Sequence, residues 1–166
     1  MDRRELILVR VEEVLNELKA LNVTPIVGSA PFVQSVYRNR APLREDARPA
    51  LYLFDGIEDV GSPAGGYTTQ RSTFSRPAFM VLRPQVWAVL QQRIPDLASE
   101  YGPLLSQYRI QLIKMLLEDS ELVSLVTSNG QIAYQGSDTD MQSGSSMEGQ
   151  LQMKFAFTYP LITSEL

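Results

Sequence analysis

The 166-residue chain contains neither cysteine nor histidine. Without them there is no Ser-His-Asp or Cys-His nucleophile, no Cys/His zinc site, no thiol redox chemistry and no imidazole proton shuttle. The missing cysteine also removes any reading of redox compartment. Lysine is scarce: twelve of the fifteen basic residues are arginine, leaving Lys19, Lys114 and Lys154. Long apolar runs are missing as well. The start, MDRRELILVRVEEVL, holds only Leu6 to Val9 before charge returns, and nothing approaches the roughly 20 apolar residues of a membrane span. No small-residue cleavage site follows an apolar run. The expectation is a soluble intracellular protein with no membrane contact.

What is present is ordinary for a globular domain: 44% hydrophobic and 20% charged residues. The length suits one domain, 1–166, that buries a core without disulfides or metal. The net charge of −4 argues against a nonspecific nucleic-acid binder, which carries a basic surplus or stripe. Its distribution is uneven. Residues 1–117 carry 14 basic and 12 acidic groups, whereas residues 118–166 carry 1 and 7. This is either plain composition bias or a subunit with a more basic and a more acidic side, suited to head-to-tail contact.

Residues 2–21 read as an amphipathic helix. Ile7, Val11, Val14, Leu18 and Leu21 recur at helical spacing with Leu15 beside them, a stripe too short for a coiled coil and suited to docking on a sheet. Asp2 can cap it, and Arg10, Glu13 and Glu17 share the opposite face, where each pair is worth about 0.2–0.5 kcal/mol. Strands are predicted at 32–38 and 50–55. Between them lie Arg38, Arg40, Arg44 and Arg48 against Glu45 and Asp46. Four arginines can hold phosphate, but no Gly-rich cradle or helix N-terminus accompanies them. An exposed loop, or an arginine surface meeting protein carboxylates, fits better.

Residues 56–76 are polar and aperiodic, as expected of a long loop. At its head Asp55, Glu58 and Asp59 invite a metal reading, yet EF-hand spacing and its terminal glutamate are missing. Residues 78–90 form a strand in which Pro84 predicts an edge position or a bulge. Residues 91–103 are a breaker region, and a second helix runs from about 103 to 118 with Pro103 in its first turn. That helix is apolar beyond one stripe: Leu105, Leu112 and Leu116 fit one face, while Ile110, Ile113 and Leu117 spread round the rest. A neighbouring subunit is the expected cover for the second side. Asp119 or Ser120 then caps a short helical turn. After the Asn129-Gly130 turn come a strand at 131–136, a loop at 136–149 and a final strand. There Leu151, Met153, Phe155, Phe157 and Tyr159 point one way and Gln152, Lys154, Ala156 and Thr158 the other. The predicted fold is α+β: a small, mostly antiparallel sheet of four to five strands flanked by two helices.

Catalytic options are few. No GxxxxGK[ST] or GxGxxG is present, the acids sit in predicted loops, and Lys114 has no SxxK partner. The chain is expected not to be an enzyme and to carry no cofactor.

Several segments, taken in order, resemble the tail terminator (tail completion) proteins of long-tailed bacteriophages. They are PALYLFDGIEDVG at 49–61, VLRPQVWAVL at 81–90, GPLLSQYRIQLIKMLLEDSEL at 102–122, NGQIAYQGSDTD at 129–140 and MEGQLQMKFAFTYPL at 147–161. The resemblance lies in overall order across nearly the whole chain. It implies a sheet flanked by helices and a homo-hexameric ring that caps the tail tube, ends its polymerisation and joins it to the head–neck connector or stopper. Location would be the tail–neck region of the virion, after assembly in the host cytoplasm, with DNA only as passing cargo. Subunit or tube contacts would fall on Arg38, Arg40, Arg44, Arg48, Asp55, Glu58, Asp59, Arg71, Arg76, Asp138 and Asp140, with loops 56–76 and 136–149 gripping the next ring. The alternative within this setting is another neck component, a head-completion adaptor or stopper; from another class, a small enzyme or nucleic-acid binder.

Overall fold

In the computed structural model, residues 2–19, 33–61, 79–91, 101–126, 130–141 and 148–161 are described. Among these residues three helices and five strands follow one another as α1 (Arg3–Glu17), β1 (Ser35–Arg38), β2 (Ala50–Gly61), β3 (Phe79–Gln91), α2 (Tyr101–Glu118), α3 (Ser120–Leu125), β4 (Gln131–Met141) and β5 (Glu148–Pro160). The strands form one sheet in the order β1-β2-β3-β5-β4, with β1 parallel to β2 and every other pair antiparallel. The chain is α+β, as its patterning predicts.

Helix α1 starts where Asp2 accepts a hydrogen bond from the Arg4 N–H, satisfying one of the donors a helix start leaves over. Its stripe of Ile7, Leu8, Val11, Val14, Leu15 and Leu18 is buried against the sheet; Leu21 lies outside the described residues. Sheet alternation supplies the other half of the core: Leu51 and Leu53 from β2, Leu82, Val86, Ala88 and Leu90 from β3, and Leu151, Met153, Phe155, Phe157 and Tyr159 from β5. Helix α2 adds Leu105, Tyr108, Leu112 and Leu116, so α1 and α2 pack on the same sheet face. Each such side chain contributes about 1.5–3 kcal/mol by leaving water. Asp119 caps α3, accepting from the Leu122 N–H at 2.8 Å.

Several predicted boundaries move, two of them for the same reason. The loop expected from residue 56 is strand as far as Gly61, and the loop expected from 136 is strand as far as Met141, with β5 resuming at Glu148. Gly56 (φ +73°) and Gly136 (φ +118°), where those loops are expected to start, each lie at a β-bulge, between Phe54 and Ile57 in one strand and between Tyr134 and Gly136 in the other. Pro84 sits opposite the first bulge, in a strand flanked on both sides, so the edge option is ruled out and the bulge option holds. Elsewhere β1 begins at Ser35 rather than 32, α1 ends at Glu17 rather than 21, and α2 begins at Tyr101 rather than about 103.

Candidate functional site

The bulge at Gly56 decides which way the acids of β2 face. Leu51, Leu53 and Asp55 share the helix-bearing face, and simple alternation would send Glu58 to the other. The inserted residue reverses the parity: Glu58 pairs with Leu82 of the core face and accepts from the Tyr159 hydroxyl. Asp59 falls on the opposite face and pairs with Arg83. The three acids are therefore not a ligand cluster, and no group of three metal-ligating side chains occurs among the described residues.

Asp55 belongs to an ion-pair network at one end of α1. Arg38 donates to Asp55 at 2.8 and 3.0 Å and to Glu5 at 2.7 and 2.9 Å, and Arg4 approaches Asp55 at 3.8 Å. Burial pushes the Asp55 carboxyl upward, but the hydrogen bonds from Arg38 and Asn39 outweigh it and leave the group below the usual range. Glu5 is lowered chiefly by its hydrogen bond from Arg38. Further along α1, Arg10 bonds Asp119 at 2.7 and 3.2 Å and reaches Glu13, Glu17 and Glu121. The pairs expected from helical spacing are formed, and a fork to α3 is added. Asp119 is lowered first by Arg10 and then, against the burial penalty, by the Leu122 N–H.

The connector at 39–49 closes on itself. Asp46 is buried and accepts from the Leu43 N–H (2.8 Å), the Tyr52 hydroxyl (2.6 Å) and Arg40. Burial alone would raise its carboxyl; these three donors hold it below the usual range. Arg40 also lies over the Tyr37 ring, 4.4 Å from its centre, and Tyr37 stacks on Tyr52. Arg48 is buried too and donates to the Leu43 carbonyl at 2.9 Å. Arg44 is exposed.

Of the residues singled out from the sequence, Arg38, Asp55, Glu58 and Arg48 thus have partners inside the chain. Arg40, Asp59 and Asp138 also pair within the chain, with Asp46, Arg83 and Lys154, but their side chains keep surface, and Arg44 is exposed. Asp138 is 72% exposed and meets Lys154 of the neighbouring strand at 3.2 Å. Asp140 pairs by register with Gln150; Arg71 and Arg76 lie outside the described residues. The apolar surplus of α2 shrinks in the fold. Leu104, Ile113 and Met115 pack partly on the core, and among its described large hydrophobic side chains only Ile110 is exposed.

The second sheet face carries no described helix. It holds Tyr37, Tyr52 and Phe54 with Trp87 and Val89 on the β1–β3 side, Gln150, Gln152 and Lys154 on β5, and Asp138 on β4. Phe54 and Trp87 touch, with ring centres 4.7 Å apart. In β3 this face is apolar at its ends and polar in its middle, a pattern that in the sequence alone reads as a face covered or close to a partner. No described helix is long and apolar enough to cross a membrane.

Acid should loosen these ties. Carboxyls depressed in the folded chain stabilise it above their unfolded value near pH 4, and that contribution disappears as pH falls through the folded values. Unfolding midpoints are expected to stay level from neutral pH to about pH 5 and to fall below about pH 4. Arg10→Met should flatten part of that acid slope in a urea titration; an unchanged slope would remove Asp119 from the account.

No family model matches the chain, and a search of the curated proteins finds no relative.

Proposed function

We propose that the chain is a structural subunit of a phage tail terminator: copies form a ring on the end of the tail tube, stop its growth and offer a surface to the neck. The observation that carries this reading is the order of the resembling segments, 49–61, 81–90, 102–122, 129–140 and 147–161, across nearly the whole chain. The fold is compatible with it, since a five-stranded sheet carries both long helices on one face. The absence of histidine and cysteine, which removes most enzyme chemistry, also supports a protein that acts by binding.

The test mixes purified protein with polymerising tail-tube subunits and images the products by electron microscopy. Tubes should stop growing and carry a ring at one end. Tubes that lengthen unchanged, with the protein on DNA-filled heads instead, would favour the neck adaptor or stopper. Tight, salt-sensitive DNA retention would point to a nucleic-acid binder and against the ring. Charge reversal for such work belongs at Arg44, because Arg38 and Arg48 are engaged within the fold and their replacement would test folding instead.

A further inference from the structure

The sheet has two open sides among the described residues, β1 and β4, and they differ in charge. Beside β1, Arg40 lies over Tyr37 and pairs with Asp46 while its side chain stays 39% exposed. Strand β4 has no lysine, arginine or proline in its eleven residues and carries Asp138, 72% exposed and paired only with the half-exposed Lys154 among the described residues. Edge strands are commonly protected by lysine, proline or a bulge. The bulge before Gly136 protects one half of β4, and beyond it Ser137 to Met141 pair regularly with β5.

Register makes the two sides match. Row by row across the sheet, Tyr37 is level with Tyr52, Trp87, Gln152 and Asp138, and Val36 is level with Leu51, Ala88, Leu151 and Thr139. The four residues of β1 thus stand level with Ser137–Asp140 at the far side. Directions match too. Strand β1 runs with β2 and β5, and β4 runs against them. A second copy placed beside the first, its helices on the same side, therefore brings β4 and β1 together antiparallel, the more stable ladder.

We propose that β4 of one copy pairs with β1 of the next, setting Asp138 against Arg40 across a head-to-tail joint. The occupant is a second copy rather than a foreign strand, because the complementary charge and the level register both lie on this chain. Such a joint is heterologous, each copy giving one edge and receiving the other. It specifies the subunit contact of the ring proposed above and rests on that reading for its closure.

The cysteine-free chain permits a clean test. Full-length protein carrying both Arg40→Cys and Asp138→Cys, treated with a short bis-maleimide, should give a ladder of covalent multimers on a denaturing gel. Each single variant should give none, and a mixture of the two should give a dimer. A double variant that stays monomeric on that gel, or a single variant that crosslinks to itself, overturns the joint. Because Arg40→Cys removes a partner of buried Asp46, Asp138→Arg provides an independent measurement at an exposed position. Its self-association constant should weaken about tenfold or more in sedimentation, through like-charge contact with Arg40. Unchanged association overturns the proposal. Tube capping is scored separately: crosslinked copies that fail to cap refute the terminator function alone, and capping without crosslinks refutes the joint alone.

Discussion

Gly56→Val is expected to lower the unfolding free energy by about 3–4 kcal/mol. Two costs add. A β-branched residue forced to φ +73° pays about 1–2 kcal/mol or more. The new Cβ would also fall inside contact distance of the Arg83 carbonyl, close to the Arg83 carbonyl carbon and Pro84 Cα. These are backbone atoms of a strand paired on both sides, so they cannot swing away as a side chain would, and such overpacking costs about 1–3 kcal/mol. The urea midpoint should fall with little change in slope. Gly102→Ala is the control, because a Cβ there meets nothing within 4 Å and alanine suits a helix better. If the Gly56 variant loses less than about 1 kcal/mol, the bulge is not the rigid feature described.

Asp46→Ala should cost about 3 kcal/mol, far more than its place in a connector implies. Removing the carboxylate strands the Tyr52 hydroxyl on a fully buried residue and the Leu43 N–H, and it takes away the partner of Arg40. Unsatisfied buried groups cost about 1–3 kcal/mol each, partly relieved where water can enter. Tyr52→Phe, which removes one donor and leaves the carboxylate two others, should cost about 1 kcal/mol. Combining the two changes should cost less than their sum, because neither then leaves the other unpaired. Chemical denaturation of the four proteins measures this coupling; strict additivity would refute the shared site.

Local patterns in this chain were reliable where one neighbour sets the environment. The buried stripe of α1, the alternation of β5, the Asp119 cap and the Arg10 pairs on α1 follow from spacings of two, three and four residues. Each depends on a periodic backbone meeting one apolar surface. The loops expected from 56 and 136 begin at glycines, and a turn and a bulge ask the same thing of a residue, a positive φ. Only the partner strand, continuing past the interruption, distinguishes them. Distance along the chain likewise hides ion-pair partners. Arg38 is one of four similar arginines in the sequence, and what sets it apart is Glu5, 33 residues away.

By itself, then, the sequence determined that this is a small α+β protein without histidine or thiol chemistry, where its main core stripes lie, and that its charge is unevenly spread. The tertiary structure decided which charges remain available. Burial and pairing take Arg38, Arg48, Asp46 and Asp55 into the fold, and register brings Asp138 level with Tyr37 beneath Arg40. Periodicity can be counted along a chain because it is local. Which charge meets which depends on distances between segments far apart in sequence, and folding alone sets those.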